Sequence, residues 1–189
     1  MRKLFLLVLL AAPLATAAHA STRVLPDSCG DPGVTFEAKT DKATAAPASP
    51  AEGKAQVVFI MTLVKKGMDA PWLGAIRDFT TRLGMDGNWL GAAGNNSYFT
   101  VDIAPGEHHL CADVQNSRSG AKDLIGMQKF VAEAGKTYYF EFVATKITTS
   151  SQNSSDHYYS STFTPVDEDE GKFRVKSLKL STSSAHKPD

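Results

Sequence analysis

Two adjacent histidines, His108 and His109, are the first candidates for chemistry in this sequence, since imidazole can bind a metal ion or transfer a proton. Neighbouring residues of a strand point to opposite faces of a sheet, so the two rings cannot easily share one ion. A catalytic zinc ion needs three converging protein ligands, and no spaced set of His, Glu and Cys accompanies the pair. We therefore expect neither a metal nor a cofactor, with one ring half-buried near a turn and the other exposed.

An acidic run from Asp167 to Glu170 offers the oxygen ligands that calcium prefers. It lacks the EF-hand spacing with a central glycine and a distal glutamate, because Gly171 follows the run instead of lying inside it. The pattern favours an acidic surface segment at the start of a short final helix, where negative charge suits the helix dipole.

Hydroxyl side chains are dense between Thr148 and Thr164, but no Gly-x-Ser-x-Gly elbow accompanies them. The glycines from Gly84 to Gly94 lie on a predicted hairpin and not between a strand and a helix, so they do not form a phosphate-binding loop. The sequence therefore predicts no catalytic residues, and a metal-dependent hydrolase is kept as an alternative.

Three aromatic residues, Trp72, Trp89 and Tyr98, are the predicted ligand contacts. An aromatic ring beside a hairpin turn can stack on a sugar or fill a pocket on a partner protein, and it can equally cover the end of a hydrophobic core. For Trp89 we favour the role of covering the core.

The chain has two cysteines, Cys29 and Cys111, so only one intramolecular disulfide is possible. The bridge would close a loop of about 80 residues, for which chain entropy gives about 4 kcal/mol of stabilisation. A lipid anchor, a metal site, a catalytic thiol and free thiols are the alternatives. In the predicted strand Cys111 alternates with Leu110 and Ala112, so the bridge would hold the N-terminal leader against the outer face of a sheet.

The chain of 189 residues has 20 basic and 20 acidic side chains, which gives no electrostatic footprint for nucleic acid. Its first twenty residues have a basic start, an apolar run from Leu4 to Leu14, and Ala18-His19-Ala20 as a cleavage site. This is typical of a signal peptide, and the run is shorter than the roughly 20 apolar residues of a membrane span. We expect an exported protein, periplasmic or secreted, with no transmembrane segment after cleavage.

Alternation of apolar and polar residues predicts seven or eight short strands separated by Gly, Pro and Asn turns. The continuous apolar run from Ala55 to Val64 indicates a strand buried on both faces. The fold class is all-β, an antiparallel β-sandwich over residues 54–180. Residues 21–53 are predicted to be a leader and an Ala/Pro/Ser-rich linker, and residues 181–189 a flexible tail. Pro71 to Phe79 is the one helical candidate of interest and can equally be a loop.

Several turn and strand segments carry a family resemblance: Asp86-Gly87-Asn88-Trp89-Leu90-Gly91, Asn96-Ser97-Tyr98-Phe99, Pro105-Gly106-Glu107-His108-His109-Leu110-Cys111 and Ala134-Gly135-Lys136-Thr137-Tyr138-Tyr139-Phe140. With these segments the chain resembles an exported bacterial family known as domain of unknown function 2846. The resemblance covers roughly Lys54 to Gly171 and leaves out the leader with Cys29. It implies a small β-rich module of exported or envelope proteins, and it supplies no catalytic residues.

The predicted function is a non-catalytic binding or accessory module of the bacterial envelope, with a protein or glycan partner. The alternative without catalytic activity is a purely structural component of the envelope. A binding module should have an exposed aromatic cluster or an unpaired sheet edge that accepts a partner strand. A structural component should have neither, whereas a hydrolase needs a concave pocket with converging titratable groups.

The cysteine pairing makes a direct prediction about thiol reactivity. In purified native protein without reductant, we expect neither Cys29 nor Cys111 to react with iodoacetamide, as measured by the mass of the intact protein. Cysteines that remain open to alkylation under these conditions would show that the bridge does not form.

Overall fold

The computed structural model describes residues 24–41, 47–66, 79–115, 124–151 and 154–186. These residues form ten strands and one helix: β1 Thr35–Asp41, β2 Ala55–Lys66, β3 Thr80–Met85, β4 Asn88–Ala93, β5 Ser97–Ile103, β6 Gly106–Gln115, β7 Ile125–Ala132, β8 Thr137–Ser151, β9 Ser154–Val166, α1 Glu168–Val175 and β10 Lys179–His186. A six-stranded sheet in the order β1-β10-β5-β2-β8-β9 packs on a four-stranded sheet in the order β4-β3-β6-β7. The all-β sandwich is confirmed, with more strands than predicted.

Strand β2 lies at the centre of the six-stranded sheet, between β5 and β8. Val57, Phe59 and Met61 contribute to the core between the sheets, whereas Val58 and Ile60 belong to a second cluster on the opposite face. All five side chains are completely buried. This confirms the prediction that the continuous apolar run is a strand buried on both faces.

Two strand pairings are parallel, in contrast to the fully antiparallel arrangement expected from sequential hairpins. Strand β8 runs parallel to β2, and β10 runs parallel to a short part of β5. Parallel neighbours need a long connection. Between β2 and β8 the chain forms all four strands of the other sheet, as well as β5 of the six-stranded sheet.

The core between the sheets is made by the alternating residues that the sequence indicates. Phe99 and Ile103 on β5 face Leu110, Ala112 and Val114 on β6. Aromatic rings fill the space between the sheets. The centroid of the Phe59 ring lies 5.5 Å from the centroid of the Phe99 ring and 5.9 Å from that of the Phe163 ring.

A smaller cluster on the other face of the six-stranded sheet lies beneath α1. Val175 of the helix packs there with Val58, Ile60, Tyr98 and Tyr139. The helix begins after Asp167, whose Oδ1 accepts a hydrogen bond of 2.9 Å from the Glu170 amide. The acidic run therefore forms the N-cap and the first turn of a short helix, as expected.

The predicted boundaries of the leader, tail and loops require correction. Residues 35–41 of the leader form β1, and residues 179–186, which include most of the predicted tail, form β10 paired with it. The density of serine and threonine from Thr148 to Asp156 predicts a loop, but residues 148–151 continue β8 and residues 154–156 begin β9. Trp72 and most of the helical candidate lie outside the described residues. Among the described residues, no helix has the length and apolar character needed to cross a bilayer.

The contact of α1 with the sheet makes Gly171 sensitive to substitution. A Cβ atom at this position would lie 2.8 Å from Tyr139 Cβ and closer still to its ring. Alanine normally favours a helix by about 1 kcal/mol over glycine. We expect Gly171→Ala to lower the free energy of unfolding by about 1–3 kcal/mol instead, measured by urea denaturation.

The control is Phe173→Ala in the same helix, because Phe173 is 73% exposed. Its substitution should change the free energy of unfolding by no more than about 0.5 kcal/mol. A stabilised Gly171→Ala protein would contradict the packing of α1 described above.

Candidate functional site

The leader covers the outer face of the four-stranded sheet. Cys29 and Cys111 are joined there with Cα atoms 5.1 Å apart, and both are buried. The Phe36 amide donates a hydrogen bond of 2.8 Å to Gln115 Oε1, and Gln115 Nε2 donates to the Phe36 carbonyl. The cysteine pairing and the position of the leader agree with the sequence prediction.

A buried ion pair lies beneath the leader. Arg82 is 3% exposed and Asp113 is completely buried, and Arg82 Nε donates to Asp113 Oδ2 over 3.2 Å. The guanidinium also donates to the Val34 carbonyl and lies 4.2 Å from the centre of the Trp89 ring. The leader thus supplies part of the polar environment that a buried charge pair requires.

The aromatic residues predicted to contact a ligand are placed differently. Tyr98 is 1% exposed and belongs to the cluster beneath α1, so it does not reach the surface. Trp89 is half-buried, and its Nε1 donates a hydrogen bond of 2.8 Å to the Asp31 carbonyl. It lies over the outer face of the sheet against the leader and not at the end of the core. The prediction of a ligand contact is wrong for Tyr98, and Trp89 is engaged within the fold.

His108 is buried and His109 is exposed, so the two rings lie on opposite faces, as expected. His108 Nδ1 lies 2.7 Å from Asp86 Oδ2, and its Nε2 lies 2.8 Å from the Ala104 carbonyl oxygen. Burial opposes the charged ring, but the hydrogen bonds to Asp86 and Ala104 outweigh it and raise the pKa of His108. Both nitrogens face acceptors, so this geometry favours a structural imidazolium.

Asp86 occupies the turn between β3 and β4 with a φ of 51°, and its Oδ1 accepts a hydrogen bond of 2.8 Å from the His109 amide. Partial burial opposes its charge, but the hydrogen bonds from His108 and His109 lower the pKa of Asp86. Across the described parts of the chain, no three His, Cys, Asp or Glu side chains converge to hold a metal ion. The pair stabilises a turn that also contacts the leader, through the Gly87 amide and the Ser28 carbonyl.

A small groove opens between β7, the start of β8 and the end of β9. Its volume is about 240 Å³, and its lining includes Gln128, Lys129, Phe130 and Tyr138. The two rings lie 5.1 Å apart, and Lys129 forms an ion pair of 2.8 Å with Glu107. The groove is smaller than the roughly 300–1,000 Å³ of typical ligand pockets.

Three of the four outermost strands have protected edges. Glu37, Lys39 and Asp41 place exposed charges along β1. On β4, the Ala92 amide donates to Ser183 Oγ of β10 over 3.0 Å. On β7, Lys129 places an exposed charge on the strand. Gln128 Nε2 of the same strand donates to the Phe163 carbonyl and covers one outward peptide group of β9. Charges and covering contacts of this kind prevent unwanted strand pairing.

Strand β9, the fourth outermost strand, turns its odd-numbered peptide groups away from the sheet. The Gln56 amide donates to the Lys136 carbonyl over 2.9 Å, so even-numbered residues of β8 bond to β2 and odd-numbered ones face β9. The register pairs Val143 with Thr162, and therefore even-numbered residues of β9 bond back to β8. Pro165, which has no N–H group, occupies an outward position, as proline does on edge strands.

The outward peptide groups of four residues, Ser155, His157, Tyr159 and Ser161, have no neighbouring strand among the described residues. No lysine or arginine lies between Ser154 and Val166. This open β9 edge is the feature that the sequence analysis missed. The alternating threonines and the aromatic residues at 158–159 predict a strand from His157 to Phe163. They do not show that this strand lies at the edge of a sheet, because its neighbours come from distant segments of the chain.

Comparisons with known proteins found no matching family model, curated protein or solved structure. The resemblance to the exported family of unknown function therefore stays a prediction. The open β9 edge, the groove and the His108–Asp86 pair are the features from which a function can be inferred.

The His108–Asp86 pair predicts a dependence of stability on pH. The pKa of His108 is raised above its ordinary value of 6.5 in the folded protein. Its stabilisation is thus complete below that value and is lost as the pH rises through the folded pKa. We expect the free energy of unfolding, measured in urea, to decrease as the pH rises above 6.5 and through the folded pKa of His108.

The decrease should become smaller in His108→Gln and remain unchanged in His109→Gln, because the exposed His109 ring lacks these contacts. Equal pH dependence in wild type and His108→Gln would show that another group is responsible.

Proposed function

We propose that this chain is a non-catalytic, exported binding module that joins its partner by accepting an extended strand at the open β9 edge. The observation that carries the proposal is the row of outward peptide groups from Ser155 to Ser161. An added strand would satisfy these donors and acceptors by the mode known as β-augmentation. An unpaired sheet edge is also the feature by which a binding module differs from a purely structural component.

The chemistry of the described side chains supports a role without catalysis. Both nitrogens of His108 face acceptors, so the ring has no nitrogen placed to take up a substrate proton. The charges beside the groove compensate each other, since Lys129 pairs with Glu107 and Glu168 pairs with Lys172. Such pairs stabilise a surface, whereas an active site needs groups free to change protonation.

The disulfide supports export, because disulfides form and persist outside the reducing cytoplasm. The apolar run near the start of the sequence and the family resemblance agree with this location. We therefore place the proposed binding event in the bacterial envelope or beyond it.

Photo-crosslinking in the cells that produce the protein tests the proposal. Ser160 is exposed on β9 and its peptide group bonds to β8, so benzoylphenylalanine at this position leaves the open groups untouched. We expect a crosslinked product. Ser161→Pro should reduce its yield about tenfold, since it removes an outward N–H group and adds bulk at the edge.

Ser161→Ala is the matched control, because it removes only the hydroxyl and should retain the product. Benzoylphenylalanine at Thr40 on the charged β1 edge controls for non-specific capture. No product from Ser160, or an equal yield in the folded Ser161→Pro protein, would refute strand addition at β9.

A further inference from the structure

The distal part of the β8–β9 hairpin is a two-stranded ribbon among the described residues. Strand β2 ends at Lys66 opposite Ile147, whereas β8 continues to Ser151 with β9 as its partner. A two-stranded hairpin is only marginally stable in water, and a third strand is needed for independent stability. The ribbon contains Ser155 and His157, two of the four outward residues of β9, and thus favours an added strand at that end of the open edge.

We propose that the added strand is β9 of a second copy of this chain, related by a two-fold axis at Tyr158. This inference rests on the proposed function, because it names the occupant of the same open edge. The four outward residues are symmetric about that position. An antiparallel copy would pair Ser155 with position 161 of the second copy, and His157 with position 159.

This register uses every open peptide group in reciprocal pairs. In an antiparallel ladder, directly opposed residues alternate between hydrogen-bonded and non-hydrogen-bonded pairs. The outward residues at 155, 157, 159 and 161 would form the hydrogen-bonded pairs, and Tyr158 would face its own copy as a non-hydrogen-bonded pair. The two hairpins together would form a four-stranded unit in the order β8-β9-β9-β8.

The charge pattern of β9 is compatible with pairing to itself. Asp156 is its one acidic residue, and no lysine or arginine is present. In the two-fold register Asp156 lies opposite position 160 of the copy, which is a serine, so no like charges face each other. Opposed hydroxyl-bearing residues are favourable cross-strand neighbours.

The opposite edge of the sheet disfavours a filament. Head-to-tail assembly would place β9 of one copy against β1 of the next, and such contacts do not close. Strand β1 exposes Glu37, Lys39 and Asp41, and charged side chains of this kind protect an edge from pairing. The two ends of the sheet are unlike, and this leaves a closed, two-fold dimer as the favoured assembly.

Cysteine scanning of purified protein tests the two-fold register. Residues of a non-hydrogen-bonded antiparallel pair have Cα atoms about 4.5 Å apart, within the range of a disulfide. Tyr158→Cys should therefore form disulfide-linked dimers on air oxidation, seen on a non-reducing gel. Ser160→Cys is the control, because position 160 of one copy would lie opposite position 156 of the other, four residues away from the second cysteine. We expect at least tenfold more linked dimer from Tyr158→Cys.

Sedimentation equilibrium measures the association without a new cysteine. The wild-type protein should form dimers reversibly, and Ser161→Pro should weaken the dimer at least tenfold. Ser161→Ala should weaken it by clearly less, because it removes a hydroxyl group and no peptide N–H group. A monomeric wild type, or equal crosslinking of the two cysteine variants, would overturn the inference. If the Ser160 photo-crosslink then captured a different protein, strand addition would stand with another occupant. If it captured nothing, both proposals would fail.

Discussion

The burial of β2 on both faces is the constraint on which the rest of the structure depends. Its odd-numbered side chains enter the core between the sheets, and its even-numbered ones enter the cluster beneath α1. A strand apolar on both faces must be covered on both sides, which accounts for the four-stranded sheet on one face and the short helix on the other. Pairing with β5 and β8 satisfies its peptide groups. The parallel pairing with β8 in turn decides which peptide groups of β9 face outward.

The leader is a second structural layer on the opposite sheet. It is held by a disulfide, by hydrogen bonds between Gln115 and Phe36, and by the contact of Trp89 with Asp31. Beneath it lie Arg82 and Asp113, charges that need compensating partners when water is excluded. The His108–Asp86 pair supports the nearby turn. Of the residues singled out in the sequence, Trp89 and the two cysteines therefore hold the leader in place.

A sandwich of two open sheets has four edges, and this protein treats them unequally. Charges protect β1, serine hydroxyls of β10 cover part of β4, and Gln128 of β7 contacts β9 near Phe163. Between Ser154 and Phe163, the open part of β9 is rich in serine and has no lysine or arginine. Unprotected edges invite pairing, and the binding that we propose for β9 would use its main-chain groups and need no special side chains.

The strand-rich class, the doubly buried β2 and the inward row of Leu110, Ala112 and Val114 could be predicted from the sequence, as could the one possible partner of each cysteine. These follow from alternation along a strand and from having two cysteines, which are local or countable properties. Four features became visible in the folded chain alone: β8 lies parallel to β2, Tyr98 is buried, β10 pairs with β1, and β9 is an outermost strand among the described residues. Strand order and register depend on contacts between distant segments, and alternation within one segment does not specify its neighbours.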